Sequence, residues 1–168
     1  MFWACMLNGA AGHTYGANGI WQVNTLEKPY GPSPHGRSWG DTPWQEAYQL
    51  PGSKQLGFAK ALLQRYDWWK LEPHPEWVDP SWTPENYQLP YAAGISGKLR
   101  IFFVPTRWDQ PKVKGLERGV EYQARFFNPA SGKEIEIGRV AHDTNNDWQI
   151  PTAPVYQDWV IILEAVPG

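Results

Sequence analysis

The chain holds a single cysteine, Cys5, so no intrachain disulfide can form and no pair of thiolates is available for zinc. Its neighbours Phe2, Trp3, Met6 and Leu7 are apolar, which reads as a buried structural thiol rather than a nucleophile. The four histidines, His13, His35, His74 and His142, are scattered without ligand spacing, and no metal site is expected. The glycines form no phosphate-cradling loop of the dinucleotide or Walker type, and no Gly-x-Ser-x-Gly elbow is present. No cofactor is expected either. Charge of one sign is also missing: fifteen basic and seventeen acidic residues leave a net charge of −2, which provides no field for a phosphate backbone and argues against a nucleic-acid partner. The apolar run Phe2 to Leu7 falls far short of the roughly 20 residues that span a bilayer and lacks the basic flank and cleavage pattern of a signal peptide. Neither a membrane partner nor a targeting segment is expected.

Aromatic and loop-forming residues are abundant. Eleven Trp, eight Tyr, six Phe, sixteen Gly and sixteen Pro in 168 residues suit carbohydrate-handling folds, in which flat rings meet the apolar faces of sugars. The same rings also pack cores while committing one polar atom to a hydrogen bond. With 42% hydrophobic and 19% charged residues, the composition is that of a packed domain or two small ones.

The period of the apolar pattern changes along the chain. Phe2 to Leu7 carries no cap, charge or turn signal and reads as the interior of a helix, so Met1 is read as a truncation or late start. Gly9 to Gly12 is a run of small residues that opens into the polar and aromatic stretch His13 to Gln22. Pro29, Gly31, Pro32, Pro34, Gly36 and Gly40 then make a long loop to Asp41. Thr42-Pro43-Trp44-Gln45 offers a capping Thr, Pro at the first helical position and Gln three residues after the cap, predicting a short helix to about Gln49. Leu50-Pro51-Gly52-Ser53 is expected to break it. From Ser53, Leu56, Ala59, Leu62, Leu63 and Tyr66 recur at spacings of three and four, predicting an amphipathic helix to about Trp69. Pro73, Pro75, Pro80, Pro84 and Pro90 punctuate a connector.

Beyond Pro90 the texture is that of strands. Lys98 to Val104, Tyr122 to Phe127, Glu134 to Ile137 and Asp158 to Leu163 are short, rich in β-branched and aromatic residues, and separated by turns such as Asn128-Pro129-Ala130-Ser131-Gly132. Weaker candidates at Tyr91 to Ala93 and Trp148 to Ile150 bring the expectation to six or seven strands, a small antiparallel sandwich, with the boundary between the halves near residues 80 to 90.

Gly9-Ala10-Ala11-Gly12-His13-Thr14-Tyr15-Gly16 with Ile20-Trp21-Gln22, then Thr42-Pro43-Trp44-Gln45-Glu46-Ala47 and Leu50-Pro51-Gly52-Ser53-Lys54-Gln55-Leu56-Gly57, resemble the last strand and helix of the apiosidase-like glycoside hydrolases, which are (β/α)8 barrels. Phe126-Phe127-Asn128-Pro129-Ala130-Ser131-Gly132-Lys133-Glu134 and Gln157-Asp158-Trp159-Val160 resemble the β-sandwich appended to that barrel, which carries a label referring to collagen binding. The resemblance implies an α+β chain: residues 1–84 the last strand, loop and helix of a (β/α)8 barrel, residues 85–168 an antiparallel β-sandwich.

On that reading Gly9 to Gly12 suit the crowded inside of a barrel strand, and the residues after it lie at the face where barrel enzymes build their sites. His13 and Tyr15 then face the pocket, with Asn18, Trp21 and Trp39 as further substrate-binding candidates. The alternative for His13 is a hydrogen-bonded histidine that shapes the loop. His35 and Arg37 sit in the long loop, where solvated side chains are the commoner outcome. The family's chemistry needs two carboxylates flanking the scissile bond. By the resemblance these come from earlier strands, so no catalytic residue is assigned in this chain and it is expected to be inactive alone. Asp41 and Glu46 are the nearest local acids, but both sit at a helix start, where acids offset exposed amides.

The implied partners are a polysaccharide or oligosaccharide substrate of the parent enzyme and the upstream part of the barrel, and the implied location is secreted or periplasmic. One strand and one helix cannot close a barrel, so residues 1 to about 70 should expose apolar surface unless an upstream portion covers them. The competing reading is a non-catalytic protein whose sandwich binds carbohydrate or an extracellular-matrix protein through exposed aromatics such as Trp108 and Trp148, the alternative for one or both being that they pack the sandwich.

Overall fold

The computed structural model describes residues 1–20, 22–28 and 42–167. The described chain forms two compact units, one made of residues 1–13 and 62–168, the other of residues 14–61. Three helices come first: α1 (Phe2–Met6), α2 (Trp44–Ala47) and α3 (Pro51–Leu63). Nine strands follow: β1 (Glu72–Pro73), β2 (Val78–Asp79), β3 (Tyr91–Ile95), β4 (Leu99–Val104), β5 (Lys112–Val113), β6 (Tyr122–Phe127), β7 (Glu134–Arg139), β8 (Trp148–Gln149) and β9 (Trp159–Ala165). They pair into a six-stranded sheet, in the order β1-β3-β4-β9-β6-β7, and a three-stranded sheet, β2-β5-β8. Every pairing in both sheets is antiparallel. No helix among the described residues is long and apolar enough to cross a membrane.

The alternation of side chains along a strand explains the core. Phe102 and Val104 of β4, Ala124 and Phe126 of β6, and Trp159, Ile161 and Leu163 of β9 join Val78, Val113, Trp148 and Ile150 in one buried cluster. The intervening residues Ile101, Phe127, Val160 and Ile162 are buried too, so the central strands are apolar on both faces. Helix α1 contributes to the cover of the second face, since the Trp3 ring meets Phe127 edge-on at 6.1 Å. A strand buried on both faces reads as a continuous apolar run rather than an alternating one, which is why these segments are plain in the sequence.

Two buried arginines lie inside this unit with their partners. Arg100 donates from Nη1 to the Lys114 carbonyl at 2.8 Å and from Nη2 to the Gly115 carbonyl at 2.7 Å, pairs with Glu117 at 2.9 Å, and lies 4.0 Å over the Trp77 ring. Gly94, the register partner of Arg100, is required there. A Cβ at that position would stand 2.1 Å from the Leu99 carbonyl oxygen and 2.6 Å from the Trp77 ring. Arg125 pairs with Glu134 at 2.7 Å and with Glu164, and also donates to the Tyr66 hydroxyl. The hydrogen bond from Arg125 holds Glu164 below the ordinary glutamate value against the opposing effect of burial. Burial first, and the Glu164 carboxylate second, push the Tyr66 hydroxyl well above the ordinary tyrosine value.

Several local expectations change. Gly9 to Gly12 form a turn and irregular backbone rather than a strand. A barrel strand is held by hydrogen bonds to neighbours on both sides, and no strand of the described chain pairs with this one. Thr42 does not cap α2: the cap is Pro43, without a side-chain bond. The Trp44 amide is instead satisfied by the Asn24 carbonyl at 2.9 Å. The expected break between the two helices falls at Tyr48 to Leu50, and Pro51 opens α3 two residues before Ser53, because the first turn leaves its amide position without an intrahelical partner anyway. That helix ends at Leu63, short of Trp69. The Arg65 and Tyr66 amides tighten onto the carbonyls of Leu62 and Leu63, and a short 3-10 helix, Trp68–Lys70, follows. Cys5 is half-buried rather than buried. The two-residue strands β1, β2 and β5 were not anticipated, being too short to carry a period.

Candidate functional site

His13 closes the first segment of the sheet-bearing unit. Its imidazole is exposed and meets the Phe2 ring edge-on, with centroids 5.5 Å apart and planes at 78°. Phe2 in turn meets Trp3 edge-on at 5.3 Å, and Trp3 meets Phe127. The histidine therefore stands at the outer end of a ladder of ring edges rooted in β6. The ring contact places the imidazole, and neither ring nitrogen has a hydrogen bond to a described residue.

Tyr15 and Asn18 belong to the other unit. Tyr15 is half-buried, and its ring lies against Gly52 at the start of α3. A Cβ at position 52 would stand 3.1 Å from Tyr15 Cε2 and 3.3 Å from its hydroxyl oxygen, so the glycine is what admits the ring. Asn18 is exposed at the head of a turn in which the Ile20 amide donates to the Ala17 carbonyl at 3.0 Å. Gly19 follows with φ +99°, and a Cβ there would fall 2.3 Å from the Thr42 carbonyl oxygen. Only glycine fits so close an approach with a positive φ. The Gln22 side chain accepts from the Gly19 amide at 2.6 Å. Trp21 and Trp39 lie outside the described residues, as do His35, Arg37 and Asp41.

The residue that organises this loop was missed in the sequence. Asn24 is fully buried. Its amide donates to the Gly19 carbonyl at 3.0 Å, its side-chain nitrogen donates to the Thr42 carbonyl at 3.4 Å, and its own carbonyl takes the Trp44 amide. One asparagine thus joins the two sides of the long loop to the start of α2, which satisfies backbone groups that burial would otherwise leave unpaired. Beside it Val23 has φ +54°, a conformation that is costly for a β-branched residue. An asparagine in a polar stretch carries no periodic signal, and only its partner at Thr42 identifies its role.

Imidazole, phenol and carboxamide are the donors and acceptors that sugar hydroxyls pair with. The carboxylates described in residues 14–61 are Glu27 and Glu46, both exposed. Among the described residues no cluster of three His, Cys, Asp or Glu side chains has the makings of a metal site.

In the sheet-bearing unit the two tryptophans singled out from the sequence part ways. Trp148 takes the packing alternative: it is 8% exposed and belongs to the core cluster, because β8 turns Trp148 inward and Gln149 outward. Trp108 is 79% exposed, and its ring stacks on Tyr156 with centroids 4.2 Å apart.

Residues 1–70 match the sequence model of the family described as "Apiosidase-like, catalytic domain". No curated protein matches the chain. Solved structures that share its fold include two glycoside hydrolases. One, described as a glycoside hydrolase, is 22% identical with a TM-score of 0.72, over 94% of this chain and 34% of its own. The other, a glycoside hydrolase family 5 protein from Bacteroides vulgatus, is 18% identical with a TM-score of 0.74, over 97% of this chain and 34% of its own. The chain spans about a third of the length of the glycoside hydrolases it matches. It is apiosidase-like in sequence over residues 1–70 and has, over nearly its whole length, the fold of part of a glycoside hydrolase.

Proposed function

We propose that this chain is the C-terminal part of an apiosidase-like glycoside hydrolase acting on complex polysaccharide. The observation that carries the reading is the coincidence of two matches: the catalytic-domain family over residues 1–70 and a glycoside hydrolase fold of which the chain supplies a third. In this reading residues 1–84 are the end of a (β/α)8 barrel and residues 85–168 an ancillary sandwich. The two carboxylates that protonate the leaving oxygen and attack, or activate water to attack, the anomeric carbon are supplied by barrel strands upstream. This chain's part is to bind and orient the sugar. By the resemblance, His13, Tyr15, Asn18, Trp21 and Trp39 are its candidate sugar contacts, and Asn24 holds the loop that carries Tyr15 and Asn18. The packing of the exposed His13 ring on Phe2 supports an imidazole that is placed by a ring contact, with no described residue hydrogen-bonded to its nitrogens.

The test is the intact mass and N-terminal sequence of the polypeptide in its source. The expected result is a chain longer by a few hundred residues, with barrel strands bearing paired carboxylates. A polypeptide of 168 residues in the source overturns the reading.

A further inference from the structure

Trp108 has the most exposed ring among the large hydrophobic side chains described, 79% open to solvent, and Tyr156 beside it is 54% open. The two rings stack at 4.2 Å with planes 20° apart, so each supports the other and the outer face of the indole is left bare. The platform is built from two loops, the one after β4 and the one before β9, and both are tied down. Asp158 accepts from the Thr106 amide at 2.8 Å and from its hydroxyl at 2.6 Å. The Trp159 indole donates to the Val155 carbonyl at 3.0 Å. A side chain that remains exposed on anchored loops has lost its freedom before any ligand arrives, which lowers the entropic cost of binding.

The rim is polar and uncommitted. Arg107 is steered by a hydrogen bond from Nε to the Asp109 carbonyl, which leaves its two terminal nitrogens open. Neither the Asp109 carboxylate nor the Tyr156 hydroxyl has a hydrogen bond or ion pair with a described residue. A bare indole face attracts the slightly positive C–H groups of a flat ring, while a carboxylate and a guanidinium beside it take hydroxyls as charge-assisted hydrogen bonds. A pyranose or furanose ring presents both kinds of group at once, one apolar C–H face and a girdle of hydroxyls. An apolar protein segment would leave the rim charges unpaired at a cost.

We propose that Trp108, backed by Tyr156 and flanked by Arg107 and Asp109, is a binding site for one sugar ring of a polysaccharide chain. The site rests on the carbohydrate reading above and gives the sandwich a task of its own, holding the polymer while the barrel acts on it.

The test is electrophoresis of the 168-residue chain through gels containing xylan, pectic galactan, mixed-linkage glucan or gelatin, with Trp108→Ala, Asp109→Ala and the control Trp69→Ala, an exposed tryptophan of the 3-10 helix Trp68–Lys70. The expected result is retardation by at least one of the three polysaccharides. Its dissociation constant should rise about tenfold or more in Trp108→Ala and about threefold in Asp109→Ala, with no change in Trp69→Ala and an unchanged melting temperature throughout. Retardation that survives Trp108→Ala overturns the site. So does retardation by gelatin alone, and so does passage of the unaltered chain through all four gels without delay. Hydrolysis by the longer polypeptide is scored separately: activity without retardation removes only this site, whereas retardation without hydrolysis removes only the enzymatic reading.

Discussion

The two units of this chain solve the burial problem differently. In the sheet-bearing unit β4 and β9 are buried on both faces, from Leu99 to Val104 and from Trp159 to Leu163, and the two arginines inside it are paired. In residues 14–61 the buried apolar side chains described are Pro43, Ala47 and Ala59, while Val23, Leu26, Trp44, Tyr48 and Leu50 are exposed. Its most buried polar residue, Asn24, is spent on backbone hydrogen bonds. The first unit has the features of a self-sufficient core. The second is shaped by glycines, an asparagine and turns rather than by apolar packing, and under the proposed function an upstream barrel covers its open side chains.

The strongest way to break this contrast is to cut into the core of the sheet. Phe102→Ala removes a fully buried ring and should cost about 3–5 kcal/mol, enough to unfold much of a marginal protein, read as the midpoint of urea denaturation. A midpoint that stays put would mean that this sheet is not what holds the chain together.

A change of pH should act next, again through the sheet-bearing unit. Glu164 is held below its ordinary value of 4.5 by Arg125, and Glu117 is held below 4.5 because the Tyr122 hydroxyl, backbone amides and Arg100 outweigh the opposing effect of burial. Groups with depressed values contribute their stability above 4.5 and lose it as the pH falls through the lowered value. Tyr66 and Tyr122 are raised above 10.0 by burial and by their glutamates, so their contribution is complete below 10.0 and is lost as the pH rises beyond it. Thermal melts should therefore show a plateau between these limits with a fall on either side. Glu164→Gln should flatten the acid limb, and an acid limb of unchanged slope would show that the Arg125 network does not set it.

The smallest effect belongs to the other unit. Leu26, 78% exposed, should tolerate Leu26→Gln within about 0.5 kcal/mol while lowering the fluorescence of a hydrophobic dye bound to the chain. A large loss of stability there would mean that this unit has an apolar core after all.

How much of this was legible in the letters depends on what carries each element. All strands of the six-stranded sheet except β1 were legible because their apolar, β-branched runs need no partner to be recognised: Tyr122 to Phe127 was placed to the residue. The short strands β2, β5 and β8 are held by their neighbours, and of these only β8 left a trace, Trp148, whose two alternatives, exposed or packed, the letters left open because two residues carry too little pattern to choose. Helix ends were misplaced where tertiary contacts decide them. Asn24 displaces Thr42 at the start of α2, and the end of α3 gives way to turns where Tyr66 reaches Arg125. Of the candidate site, His13, Tyr15 and Asn18 were found through the resemblance to a family, but the anchoring of their loop by Asn24 was not, since it depends on a carbonyl 18 residues away.

The central claim, that this chain binds and orients a sugar while the reacting carboxylates lie upstream, is tested most directly by assaying glycoside hydrolysis with the 168-residue chain and with the full-length polypeptide side by side, on the same polysaccharides. The account predicts release of reducing sugar by the longer polypeptide, a large loss of that activity on His13→Ala, and none by the chain alone. Hydrolysis by the chain alone would contradict it, because the paired carboxylates would then have to lie within these 168 residues.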